Sequence, residues 1–106
     1  MNAKERFYSG LARETIGKIT SNKDSWTSFL VTVSRNYEFT YPEQVMIYAQ
    51  RPNATFCKPY DEWNDEKYRR YVRRGSTGIA LFVTNRDKPY LRYVFDVADT
   101  GVRRSS

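Results

Sequence analysis

Apolar residues in the first half of the chain recur at helical spacing. Tyr8, Ala12, Ile16 and Ile19 fall three and four apart with Leu11 beside them, which predicts a first helix over residues 3–20. Gly17 weakens that pattern near its end, and Ser21-Asn22 supplies a stop. A second helix has the clearest pattern. Trp26, Phe29, Leu30, Val33 and Tyr37 share one face, read as core rather than as a ligand site, and Asp24 or Ser25 stands where a cap is expected. After a connector over residues 36–40, Pro42 occupies the expected first position of a third helix, with Glu43 in the first turn complementing the helix dipole. Tyr41, Val45 and Tyr48 or Ala49 form its apolar side. Arg51-Pro52 ends it, because the residue before proline is pushed out of the α region. Residues 52–59 read as a loop or a short extended piece. Residues 60–66 open a fourth, short helix with its acidic groups early, ending within 67–71.

From Val72 onward the period changes to two. Ile79, Leu81 and Val83 alternate with Ala80 and Phe82, and Asn85-Arg86-Asp87-Lys88 reads as a hairpin turn. In the return strand Leu91, Tyr93, Phe95 and Val97 share one face, with Arg92, Val94 and Asp96 on the other. Val72-Arg73-Arg74 is a candidate third short strand, and residues 101–106 read as a frayed polar tail. The expected fold is α+β: a helical N-terminal half of three to four helices packed on a small antiparallel β-hairpin sheet. A single domain over residues 1–106 is expected, built of an N-terminal helix (1–23), a helical part (24–71), a hairpin part (72–100) and the tail.

Composition narrows the chemistry. Aromatic residues make up 16% of the 106, enough for a small core to hold without disulfides. Cys57 is alone, so no intramolecular disulfide forms, and it reads as a core residue because no histidine is present to activate it. Zero histidines exclude a Ser-His-Asp triad, a Cys-His pair and any His-containing zinc site, and one cysteine excludes a Cys-based cluster. A non-enzymatic protein without cofactor or metal is therefore expected. No apolar run approaches a membrane span, and the N-terminus lacks a signal-peptide core, so a soluble cytoplasmic protein with no membrane partner is expected.

Charge then singles out one stretch. Residues 1–50 hold six Lys/Arg against five Asp/Glu, whereas residues 51–106 hold twelve against seven. Lys67, Arg69, Arg70, Arg73 and Arg74 fall within eight positions, interleaved with Tyr68 and Tyr71 and followed by Gly75 and Gly78. Such a segment can meet phosphates with its cations and bases with its rings, so these seven side chains are the candidate nucleic-acid-binding set. The plainer alternative is a solvated helix end and a basic turn. Tyr68 and Tyr71, three apart, can equally face the core with Trp63 or Tyr60. Gly75 and Gly78 read as turn residues, since Gly75-Ser76-Thr77-Gly78 matches neither a Walker A nor a dinucleotide signature. Asp61, Glu62, Asp65 and Glu66 are open to reading as a divalent-metal or nuclease site. A dipole-compatible helix start with a Glu66–Arg70 pair is the favoured reading.

Several stretches in order carry a family resemblance. They are Trp26-x-x-Phe29-Leu30; Tyr41-Pro42-Glu43-Gln44-Val45-Met46-Ile47-Tyr48-Ala49-Gln50-Arg51-Pro52-x-Ala54-Thr55; Tyr60-x-x-Trp63; Tyr71-Val72-Arg73-Arg74-Gly75-x-x-Gly78-Ile79-Ala80-Leu81; and Arg92-Tyr93-Val94-Phe95-Asp96-Val97-x-Asp99-Thr100. Over residues 24–100 this resembles the N-terminal module of ArdC-type antirestriction proteins. It also resembles the opening segment of large polyvalent helicase and methyltransferase proteins of Firmicutes conjugative elements. The resemblance implies a single-stranded-DNA-binding, counter-defence module of a mobile genetic element. The metallopeptidase-like domain that follows in ArdC-type proteins is not expected here, because histidine is absent. Asp96 and Asp99 resemble family residues at a strand end, without a third ligand for a metal. The alternative expectation is an anti-CRISPR-type inhibitor of a host defence nuclease such as Cas9. At a net charge of +6 the chain is a poor DNA mimic, so such an inhibitor would engage the guide or target nucleic acid, an acidic patch or the assembled complex.

Overall fold

A computed structural model describes residues 2–84 and 88–104. Helix α1 (Ala3–Ser21) starts in a capping box between Asn2 and Glu5. One residue, Asn22, then ends α1 and starts α2 (Lys23–Arg35): its backbone is extended and its side chain accepts the Ser25 amide at 2.8 Å. The cap is thus Asn22 and not Asp24 or Ser25, which already lie in the first turn. Thr40 and Glu43 form a second capping box at the head of α3 (Tyr41–Gln50), which moves Pro42 to the second helical position. Arg51 closes α3, as the following proline requires.

α3 is the central helix, with residues 44–47 all buried. Val45 packs with Ile19 of α1 and Phe29 of α2, while Met46 and Ile47 pack with Ala54, Cys57, Ile79, Leu81 and Val94. The apolar stripe expected on α2 is core only in part. Phe29 is buried and Val33 half-buried, but Trp26 and Leu30 are exposed, because α2 turns its Phe29–Thr32 side toward α1 and α3, and Tyr37 is exposed in the turn beyond the end of α2.

Three strands form an antiparallel sheet in the order β1-β4-β3, where β1 is Cys57–Pro59, β3 is Ile79–Thr84 and β4 is Pro89–Asp96. The expected hairpin turn lies, Lys88 apart, outside the described residues. Ile79 pairs with Val94 and Leu81 with Arg92, so Val94 shares the buried face with Ile79 and Leu81. The core side of β4 is therefore the one with Val94 and Asp96. Leu91, Tyr93 and Phe95 are half-buried, and Val97 leaves the strand for a 3-10 turn, Val97–Asp99. Edge strand β3 is shielded at one point by a side chain. Gln50 donates to the Ala80 carbonyl at 2.9 Å and accepts its amide at 2.8 Å, imitating a neighbouring strand.

The fourth helix, α4 (Tyr60–Trp63), is one turn long and ends well before residues 67–71. Asp65 accepts the Lys67 amide at 2.8 Å, a local bond that competes with helix continuation. The third short strand, β2, is Arg70–Val72, and it pairs antiparallel with β5 (Thr100–Val102), not with the hairpin. Gly101 and Val102 consequently belong to a strand, correcting the frayed tail. The fold is α+β, with four helices in the N-terminal half, a three-stranded sheet and this two-stranded ribbon among the described residues. No described helix is long and apolar enough to cross a membrane.

Asp96, 3% exposed, holds these parts together. Its Oδ1 accepts the Thr55 and Phe56 amides at 2.8 and 3.0 Å, and its Oδ2 accepts the Ala98 amide at 3.1 Å. Burial, reinforced by Asp96, pushes the neighbouring Cys57 thiol up to about 12, which keeps it protonated and unreactive. Asp96→Asn must turn its side-chain amide NH2 group toward one of these donors. It is expected to cost about 1–3 kcal/mol in chemical denaturation for the amide left unpaired.

Glu43 joins α3 to β4 through Arg92 at 2.9 Å. Partial burial pushes the Glu43 carboxyl up. The Thr40 amide and the Arg92 guanidinium outweigh this and hold it below the usual carboxylate range. Its stabilisation is thus present above the unfolded pKa of about 4.3 and is lost as pH falls through the lower folded value. Glu43→Gln should lower the melting temperature at neutral pH and converge on the wild type as the medium is acidified below that window.

Candidate nucleic-acid interface

The basic stretch leaves α4 through a tight turn. Arg69 donates its amide to the Asp65 carbonyl at 2.9 Å and adopts φ 52°, a left-handed conformation uncommon outside glycine. That reversal feeds the chain into β2. The ladder with β5 extends beyond the three paired residues: Arg103 donates to the Arg69 carbonyl at 3.0 Å, and Arg73 donates to the Asp99 carbonyl at 2.8 Å. Ser76 donates to the Arg73 carbonyl at 3.1 Å, closing a turn with Gly75 at φ 87°. Gly75 serves the turn as expected. Gly78 does not; a β-carbon there would stand 3.0 Å from that of Tyr93, so its role is close approach to β4.

The seven sequence candidates divide. Lys67, Arg69, Tyr71, Arg73 and Arg74 are exposed, whereas Tyr68 and Arg70 are half-buried. Tyr68 stands 5.7 Å from Phe56 and 5.2 Å from Trp63, completing an aromatic cluster that Trp63 anchors by donating to the Phe95 carbonyl at 2.9 Å. Its ring is packing, and Lys67 covers it at 5.2 Å. Arg70 donates to the Thr100 hydroxyl at 2.7 Å, so its guanidinium braces the ribbon from within. Arg73 donates from one nitrogen to the Ala98 carbonyl at 2.7 Å while staying exposed.

Tyr71 is the exposed ring of the set, at 48%. It pairs with Gly101, and a β-carbon on Gly101 would stand 2.6 Å from the tyrosine ring. The missing side chain is what lets the ring lie across the ribbon, where it covers Gly101. Arg103 and Arg104 are exposed at the end of β5, and the ladder brings Arg103 beside Arg69. Neither they nor Gly101 were among the sequence candidates. A three-residue strand carries too little alternation to be read, and the only visible signal was a basic pair in a polar tail.

Two residues of the acidic run are engaged locally, Asp65 with the Lys67 amide and Glu62 with Lys58. Glu62 lies 3.9 Å from Lys58, which donates to Glu38 at 2.7 Å; that hydrogen bond raises the Lys58 ammonium above its ordinary value. The expected Glu66–Arg70 helix pair does not form, since the helix has ended and Arg70 turns to Thr100. Asp99 pairs with Arg51 at 3.0 Å. Among the described residues no three acidic or cysteine side chains are grouped to hold a metal.

Gly101→Ala tests the ring's seat. The tyrosine can swing outward, so the stability cost is expected to be about 1 kcal/mol, at the low end for overpacking. That cost should vanish in a Tyr71→Ala background, as measured by a double-mutant denaturation cycle.

Comparison of the chain with protein-family models, with curated proteins and with solved structures found no match.

Proposed function

We propose that the chain is a non-enzymatic binder of nucleic acid, single-stranded DNA above all, and that the β2–β5 ribbon is the contacting surface. The observation that carries this reading is the backbone bond from Arg103 to Arg69, 3.0 Å long, which unites two basic stretches far apart in sequence. Between them Tyr71 offers an exposed ring on a glycine seat. Phosphates meet Arg69, Arg73, Arg74 and Arg103, while an unstacked base meets Tyr71. Duplex DNA keeps its bases stacked and gains only the charge contacts.

The backbone of Arg69 supports the same reading. A left-handed conformation costs a residue with a β-carbon roughly 1–2 kcal/mol, which glycine avoids. An arginine standing at such a position points to use of its charge. The non-enzymatic character is supported by the lack of histidine and by Asp96 and Asp99 being engaged with amides and Arg51. The counter-defence role on a mobile element rests on the ArdC-type resemblance and belongs to the same proposal.

Fluorescence anisotropy with labelled single-stranded and duplex DNA at two salt concentrations tests it. Salt-sensitive binding that prefers the single strand is expected. Tyr71→Ala should cost about 1–3 kcal/mol with the salt dependence unchanged. Arg69→Gln and Arg103→Gln should each flatten the log–log salt slope by about 0.7. Tyr68→Ala and Arg70→Gln should instead lower thermal stability. Absence of binding at low salt overturns the proposal and turns attention to a guide-loaded nuclease complex such as Cas9.

A further inference from the structure

A groove of about 340 Å³ runs between the first half of α1, the end of α3 and the chain entering β3. Phe7, Tyr8, Leu11 and Ile79 give it apolar walls, and Arg51 and Thr77 complete them. Phe7 meets Tyr8 edge to face at 5.1 Å and is still 65% exposed, beside exposed Arg6 in sequence. Such a ring has surface available to a flat ligand. Two connections join the groove to the ribbon. Arg51 pairs with Asp99 at 3.0 Å, and the Asp99 carbonyl accepts the Arg73 amide at 2.8 Å. The turn closed from Ser76 to Arg73 also keeps those two residues within about 7 Å of each other, and Thr77 follows directly.

We propose that this groove takes a second unstacked base of the strand held by the ribbon, with Phe7 as its stacking ring, an assignment that rests on the nucleic-acid reading of the ribbon. Reach permits it. Tyr71 stands about 7 Å from Arg73 along an extended strand, and Thr77 lies within about 11 Å of Arg73. A nucleic-acid strand advances at least the roughly 3.4 Å per nucleotide it has in a duplex, so about five nucleotides or fewer join the two bases. Size agrees, since the volume lies near the lower end of the roughly 300–1,000 Å³ of ligand pockets, room for a single base. Charge selects the occupant. Arg73, Arg74 and Arg51 follow the path, and the Asp99 carboxylate along it is paired. Arg51 engages Asp99 through one terminal nitrogen and, with the five N–H donors of a guanidinium, can hold a phosphate as well. An apolar protein segment would fit the same walls but gains nothing from these cations.

Anisotropy titrations of the full chain at low salt, with octathymidylate and with an abasic octamer of equal charge, test the proposal. The wild type should prefer the octamer that carries bases. Phe7→Ala should weaken octathymidylate binding at least about fivefold, leaving the salt slope and the abasic affinity unchanged. Phe7→Leu, which keeps apolar packing on α1 but lacks the ring, should do the same, with circular dichroism confirming the fold of both. Tyr71→Ala should keep part of the preference for bases, and the double variant should lose all of it. If Tyr71→Ala alone abolishes the preference, or Phe7→Ala leaves octathymidylate affinity intact, the second base seat is overturned while the ribbon reading stands. Absence of binding to either octamer overturns both.

Discussion

The Asp96 carboxylate ties together segments that lie far apart in sequence. One oxygen holds the amides of Thr55 and Phe56, which set the start of β1. The other caps the 3-10 turn that begins at Val97. That turn redirects the chain from the three-stranded sheet into β5, so the two-stranded ribbon depends on it. Thr100, the first residue of β5, is itself buried and donates its hydroxyl to the Val97 carbonyl at 2.7 Å. A buried carboxylate is favourable only when its acceptors are filled, and here backbone amides fill them.

Around this point the chain divides its aromatic residues by task. Phe56 packs edge to face on Trp63 and on Tyr68, whose own two rings are tilted at 58° to each other, and the three close the space between α4 and the sheet. Phe29, Tyr41 and Tyr48 do the same between α2 and α3. Tyr71 stays outside, supported by a glycine instead of by other rings. The arginines divide likewise. Arg51, Arg70 and Arg92 brace the structure through Asp99, Thr100 and Glu43, whereas Arg69, Arg74, Arg103 and Arg104 remain exposed. Residues of one type, a few positions apart, thus hold different roles according to the backbone that presents them.

Much of the architecture was legible in the sequence because it follows from local rules. The 3.6-residue period located α1 and α2, Pro42, Glu43 and Pro52 bounded α3, and alternation after Ile79 marked the sheet. Composition alone excluded histidine chemistry. The basic run with its tyrosines pointed to the region where Arg69 and Tyr71 lie exposed.

Tertiary structure decided the rest, and the reason is range. Whether Tyr68 or Tyr71 faces solvent depends on Phe56 and Trp63 standing beside the first and Gly101 beneath the second. None of these partners is within a helical turn in sequence. The inward face of β4 was set by its register with β3, where a shift of one residue exchanges the two faces. The C-terminal residues had too short a pattern to be read as a strand until β2 supplied the partner for their hydrogen bonds. Local periodicity specifies an element, but a surface assembled from two separate stretches of the chain exists only once the fold has brought them together.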